Sequence, residues 1–131
     1  DRRRFVSGFG VVLVLVLGGR GAEAAGRCAD LAYAEQGACW KQLLAAQSRQ
    51  MRQLVDARIG KTPPDDLNDP TKADAFAQIL RRSQSTWEVY RDTECSHLDF
   101  LMRRHIQEAI DSCKADLNQG RIVQLRADIG R

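Results

Sequence analysis

Three stretches of this chain repeat apolar side chains at intervals of three and four. Past the amino-terminal segment, no stretch shows the period of two that a half-buried strand requires. In the first, from about Ala29 to Ile59, the positions Trp40, Leu43, Leu44, Gln47, Met51, Leu54, Val55 and Arg58 fall on one side of a helix, with Gly37 interrupting its early part. The second opens on Asp69-Pro70-Thr71, a capping carboxylate followed by a proline suited to the first turn. Its face reads Phe76, Ile79, Leu80, Ser83, Trp87 and Tyr90. The third reads Leu98, Leu101, Met102, Ile106, Ala109, Ile110, Cys113 and Leu117. Asn118-Gln119-Gly120 ends or kinks it, and Ile122, Leu125 and Ile129 make a short continuation. A helix with one apolar stripe must bury that stripe, and three in series pack most simply as a small antiparallel bundle. The expected fold is all-α, with three main helices and a short fourth.

The first and second helices are separated by Gly60 to Pro70, a stretch holding all three prolines together with Asp65, Asp66 and Asp69. It is longer than most helix–helix connections, which makes it a candidate functional loop. Length allows one domain: the chain has 131 residues.

The amino terminus has the layout of an export signal. Arg2, Arg3 and Arg4 precede the apolar run Val11 to Leu17, glycines break that run, and Ala22-Glu23-Ala24 offers small residues at the two positions a signal peptidase reads. The apolar run is too short for a transmembrane helix, which needs about 20 residues. Cleavage is expected after Ala24 or after Ala25, and the first leaves a domain of residues 25–131. Arg27, a bulky cation directly before Cys28, argues against a lipidated cysteine, so no membrane anchor is expected after cleavage. The whole chain carries 20 Lys+Arg and 17 Asp+Glu, a formal charge of +3. Removing the leader takes away Arg2, Arg3, Arg4 and Arg20 with Asp1 and Glu23, which leaves 16 basic and 15 acidic residues. The basic excess belongs to the leader, and a net charge of +1 gives no reason to expect nucleic acid as a partner.

All four cysteines, Cys28, Cys39, Cys95 and Cys113, lie beyond the expected cleavage site. An even number in an exported chain predicts two disulfides, and four cysteines allow three pairings between which sequence does not choose. No C-x-x-C occurs, and the spacings do not fit a structural zinc site. His97 and His105, eight apart in the third segment, would share a helix face, but surface histidines are the expected outcome and no metal or other cofactor is assigned. H-E-x-x-H, G-x-S-x-G and phosphate-cradling glycine loops are missing. With the cysteines paired, no thiolate nucleophile is at hand either. A non-enzymatic protein is expected.

The second segment contains Gln84-Ser85-Thr86-Trp87-Glu88-Val89-Tyr90-Arg91-Asp92-Thr93-Glu94-Cys95. This Q-x-x-W-x-x-[YF]-R-D-x-x-C string resembles the signature of the LprI-type lysozyme-inhibitor family of small exported bacterial proteins. Cys113 to Leu125, with Arg121 four residues before Leu125, is similar to that family's closing element, and the two amino-terminal cysteines also fit. The resemblance spans about residues 28–125. It departs from the family pattern near Ala45 to Arg52, where an L-N-x-x-Y element is usual and neither Asn nor Tyr is present.

The resemblance implies a periplasmic or secreted binding protein that inhibits lysozyme by occluding its cleft. The alternative is an envelope-stress or interaction adaptor without lysozyme activity. Read physically, Gln84, Trp87 and Arg91 share a helix face, so Trp87 and Arg91 can stack. Asp92 is expected to receive Arg121 or to cap the next helix. The string is thus expected to lock the second helix against its neighbours. For a partner, Lys61, Arg81, Arg82 and the pair Arg103-Arg104 are available donors to the acidic cleft of a lysozyme. Asp65, Asp66 and Asp69 could meet a basic rim.

Overall fold

Asp69 and Pro70 open the second long helix as their chemistry dictates. The Asp69 carboxylate accepts a hydrogen bond from the Thr71 N–H at 2.9 Å, and Pro70, with no N–H to leave unpaired, sits in the first turn. The computed structural model describes residues 20–61 and 69–131, with side chains from Ala25 onward. The elements are α1 (Arg20–Asp30), α2 (Tyr33–Gly60), α3 (Pro70–Ser96), α4 (Leu98–Leu101) and α5 (Ile106–Ile129), and no strand occurs among the described residues. Residues 1–19, which hold most of the expected leader, and residues 62–68, including Asp65 and Asp66, lie outside them. The expected cleavage point after Ala24 falls within α1.

Cross-helix contacts fix the directions. Tyr33 meets His105, Gln47 meets Ala115 and Asn118, and Met51 and Val55 cluster with Ile122 and Leu125, so α2 and α5 run side by side in the same direction. α3 runs against both: Arg58 lies over Phe76, Arg81 reaches Asp56, and Lys114 reaches Asp92. Consecutive long helices are therefore antiparallel, as expected, and the α2–α5 interface is the most extensive. α1 folds back along the first half of α2, with Ala25 against the cluster of Cys28, Trp40 and Ala115. The Gln36 side-chain amide caps its end, donating to the carbonyls of Ala29 at 3.2 Å and Leu31 at 2.9 Å.

The apolar interior comes in two separate pieces. Met51, Val55, Ile122 and Leu125 form one, flanked by Leu80 and Trp87, and Cys28, Trp40 and Ala115 form the other. Cores this small make covalent links valuable. The bonds join Cys28 to Cys39 and Cys95 to Cys113, so each closes a short local loop rather than joining the amino-terminal pair to the carboxy-terminal one.

Five local expectations are corrected. The first segment breaks at Leu31–Ala32 and not at Gly37, which sits exposed within α2. The third segment does not run on from Leu98. An unbroken helix from Leu98 to Cys113 would span about 22 Å, yet the Cα atoms of Cys95 and Cys113 are 5.7 Å apart. The chain has to double back first, and it does so at Met102–His105. His97 and His105 consequently share no helix face: His97 caps α3, and His105 adopts a left-handed conformation at φ 54° just before α5. At the other end α5 passes through Gly120 without a break. The helix-propensity penalty of about 1 kcal/mol for glycine is outweighed there by burial of Asn118, Ile122 and Leu125 on either side. Finally, the inner face of α3 is Leu80, Gln84, Trp87, Arg91 and Cys95, rotated from the predicted one, and Ile79, Ser83 and Tyr90 are exposed.

With 18 residues of separation, the Cys95–Cys113 bond restricts the unfolded chain by about 3 kcal/mol in the loop-entropy picture. Replacing both cysteines by serine is expected to lower unfolding free energy in urea by that order. An unchanged denaturation midpoint would contradict the role given to this bridge.

Candidate functional site

A polar layer separates the two apolar clusters, and the Q-x-x-W-x-x-Y-R-D string supplies much of it. Asn118 of α5 is wholly buried. Its side-chain amide donates to Gln47 Oε1 of α2 at 3.0 Å, and Gln47 Nε2 in turn donates to the Ala115 carbonyl at 3.1 Å. Arg91 of α3 completes the group, donating from Nη1 to Asn118 Oδ1 at 2.9 Å. The same guanidinium forms an ion pair with Asp92, Nη2 to Oδ1 at 2.8 Å, and Lys114 of α5 reaches that carboxylate from across the interface at 3.3 Å. Each of the three long helices thus gives this layer a side chain that would be costly to bury alone.

A second strand of the network passes through Gln84, also buried. Its carbonyl oxygen accepts from Arg121 Nε at 3.1 Å, while its amide faces Met51 Sδ at 3.6 Å and donates to Glu88 at 3.2 Å. Arg121 also donates to Gln124 at 2.8 Å. Both guanidiniums approach the half-buried Trp87 ring, Arg91 at 5.7 Å and Arg121 at 5.6 Å from its centroid. Such contacts contribute about 0.5–1 kcal/mol at exposed sites and more when dry. Burial pushes the Arg121 guanidinium below its ordinary value, with Asp128 working the other way.

Two expectations about this string change. Asp92 receives Arg91 and Lys114; Arg121 goes to Gln84 instead. Tyr90 contributes nothing to the layer and stands 53% exposed, whereas Leu125 is buried in the core. Gln47, Asn118 and Lys114 complete the group, and the Q-x-x-W string does not point to them. The available signal was spacing: Gln47 falls in the α2 stripe, and Asn118 falls at three and four residues from Ala115 and Ile122.

The expected donors are scattered. Lys61 is exposed at the carboxy-terminal end of α2. Arg81 lies on the exposed side of α3 and reaches Asp56 at 3.7 Å. Arg82 borders an open groove of about 470 Å³ with Ile79, Thr86, Trp87 and Tyr90. Arg103 and Arg104 are exposed at the opposite end of the bundle from Lys61, a helix length of about 40 Å away. There the α3–α5 connection carries Phe100 and Leu101, which are 88% and 70% exposed. The Tyr33 ring packs edge-on against His105 at 4.8 Å, and His105 lies 4.0 Å from Glu108. Among the described residues no group of three or more His, Cys, Asp or Glu side chains is placed to hold a metal ion, and no helix is long and apolar enough to cross a membrane.

The Asp92 carboxyl gives a pH test of the layer. Burial works to raise its pKa, but hydrogen bonds and charge from Arg91 and Lys114 together outweigh this and hold it below the ordinary carboxylate value. Its contribution to stability is complete above the unfolded-state value of about 4. It disappears as pH falls through the lower folded-state value. Asp92→Asn should therefore be less stable than the unaltered chain at pH 6, with the gap closing toward pH 3. A gap independent of pH in chemical denaturation would contradict the pairing.

Against known proteins, a family model described as Lysozyme inhibitor LprI matches residues 28–125. No curated protein and no solved structure gives a significant match. The matched span runs from the first cysteine to the core residue Leu125, so it takes in both disulfides and the whole polar layer. Covering the greater part of the sequence, this match shows that the chain belongs to the LprI lysozyme-inhibitor family.

Proposed function

We propose that this protein is exported through cleavage of residues 1–24 and acts in the periplasm or outside the cell as a non-enzymatic inhibitor of a lysozyme, by occluding its cleft. The observation that carries the reading is the family match over residues 28–125. Two features agree with it. Disulfides such as these two are typical of oxidising compartments, and the apolar run preceded by Arg2, Arg3 and Arg4 has the form of a leader.

Occlusion suits a bundle of this kind. Lysozyme cleaves between two carboxylates that need access to the glycosidic bond and to water. A rigid body that fills the cleft stops turnover without chemistry of its own. Near-neutral charge after leader removal limits long-range attraction to a basic lysozyme, so association relies on the local surface more than on field steering.

The oxidised protein, titrated into peptidoglycan-clearing assays with several lysozyme types, should slow at least one of them in proportion to its concentration at micromolar levels. No slowing of any type at tens of micromolar would refute inhibition. Capture of a different envelope protein would then favour an adaptor.

A further inference from the structure

The active site of a lysozyme is a cleft, so whatever enters it must project. The grooves along α3 and at the Lys61 end of the bundle are concave and cannot do this. The connection between α3 and α5 can. It leaves α3 at His97, makes the single turn α4, becomes extended at Met102 (ψ 140°), and turns into α5 through the left-handed His105. Phe100 and Leu101 stand almost free of the protein, at 88% and 70% exposure. They precede Arg103 and Arg104, neither of which lies within 4 Å of a carboxylate among the described residues.

We propose that this tip is the surface that enters the lysozyme cleft. Arg103 and Arg104 would supply charged donors to the paired carboxylates, while Phe100 and Leu101 cover the walls where sugar rings stack. The assignment rests on the inhibitor reading above. Charge complementarity selects the occupant: two consecutive guanidiniums meet two acidic groups in a cleft where water is displaced and charge-assisted hydrogen bonds are strong.

The tip is also held in place before binding. The Cys95–Cys113 bond ties the end of α3 to α5 just behind it, the Tyr33 ring supports His105, and the α1–α2 turn lies beside it. Restricting a contact loop in advance reduces the ordering cost of association. A non-glycine residue in the left-handed region, such as His105, is uncommon, and such conformations concentrate in ligand-contact segments. Asp99 and Glu108, with Glu94 in the last turn of α3 and Glu35 in the first turn of α2, are the carboxylates at this end that could oppose an acidic partner. Glu108 is already turned toward His105.

The test compares variants of the oxidised protein against the lysozyme it inhibits most strongly. Arg103→Glu with Arg104→Glu should raise the concentration needed for half-inhibition by at least tenfold, and Phe100→Ala with Leu101→Ala should weaken it by a similar factor. Because these side chains are exposed, circular dichroism and thermal midpoints should stay as they are. Lys72→Glu with Arg126→Glu makes the same charge change far from the tip and should shift inhibition less than twofold. A chito-oligosaccharide that fills the cleft should compete with binding. Inhibition by the tip variants within twofold of the unaltered chain overturns the tip assignment alone. Absence of inhibition by the unaltered chain overturns the functional reading, and the assignment with it.

Discussion

The hydrogen bond from Arg91 to Asn118 sets the register of this bundle. Apolar side chains tolerate sliding, because one leucine replaces another at small cost, whereas a buried amide and a buried guanidinium do not. Asn118 is wholly buried, and its partners come from α2 and α3 at once. Moving α3 by one turn would leave Asn118 Oδ1 without its donor, Arg91 without its buried acceptor, and Gln84 without Arg121. Unpaired buried groups cost about 1–3 kcal/mol each, comparable with burying a whole aliphatic side chain. The layer thus excludes alternatives that the two apolar clusters alone would permit.

This arrangement gives the Q-x-x-W-x-x-Y-R-D string an interior role and leaves the exposed surface to other residues. Gln84, Trp87, Arg91 and Arg121 face inward or lie across the interior boundary, where they join helices. Both disulfides lie toward the end of the bundle that carries the α3–α5 connection. The opposite end is held by Met51, Val55, Ile122 and Leu125 without any covalent link. If the proposed tip is the contact surface, stiffness is most useful near it, and the bridges lie there.

The sequence shows the number and order of the long helices clearly, because the apolar repeat and the Asp69-Pro70 opening are local signals. It shows which face of α3 is buried much less well. The inner face carries Gln84 and Arg91, and a reading that counts apolar residues turns the helix toward Ile79 and Tyr90 instead. Asn118 and Gly120 mislead in the same way: both are common at helix ends, but one is buried in the polar layer and the other is carried by the packing around it. Cysteine pairing depends on which helix ends meet and cannot be read from spacing. Arg103 and Arg104 can be read as donors from sequence. That they share a projecting tip with Phe100 and Leu101 depends on the chain reversing at Met102–His105, which no periodicity reveals.

The most direct test of this account is a double-mutant cycle on Arg91 and Asn118, using Arg91→Met, Asn118→Leu and the double variant in urea unfolding at neutral pH. Arg91→Met leaves Asn118 Oδ1 without a donor, and Asn118→Leu leaves Arg91 Nη1 without its acceptor, so the predicted coupling free energy is about 1–3 kcal/mol, with the double variant less damaged than the sum of its parts. Additive effects to within about 0.5 kcal/mol would show that the two side chains act independently, and would contradict the claim that their bond sets the register of the bundle.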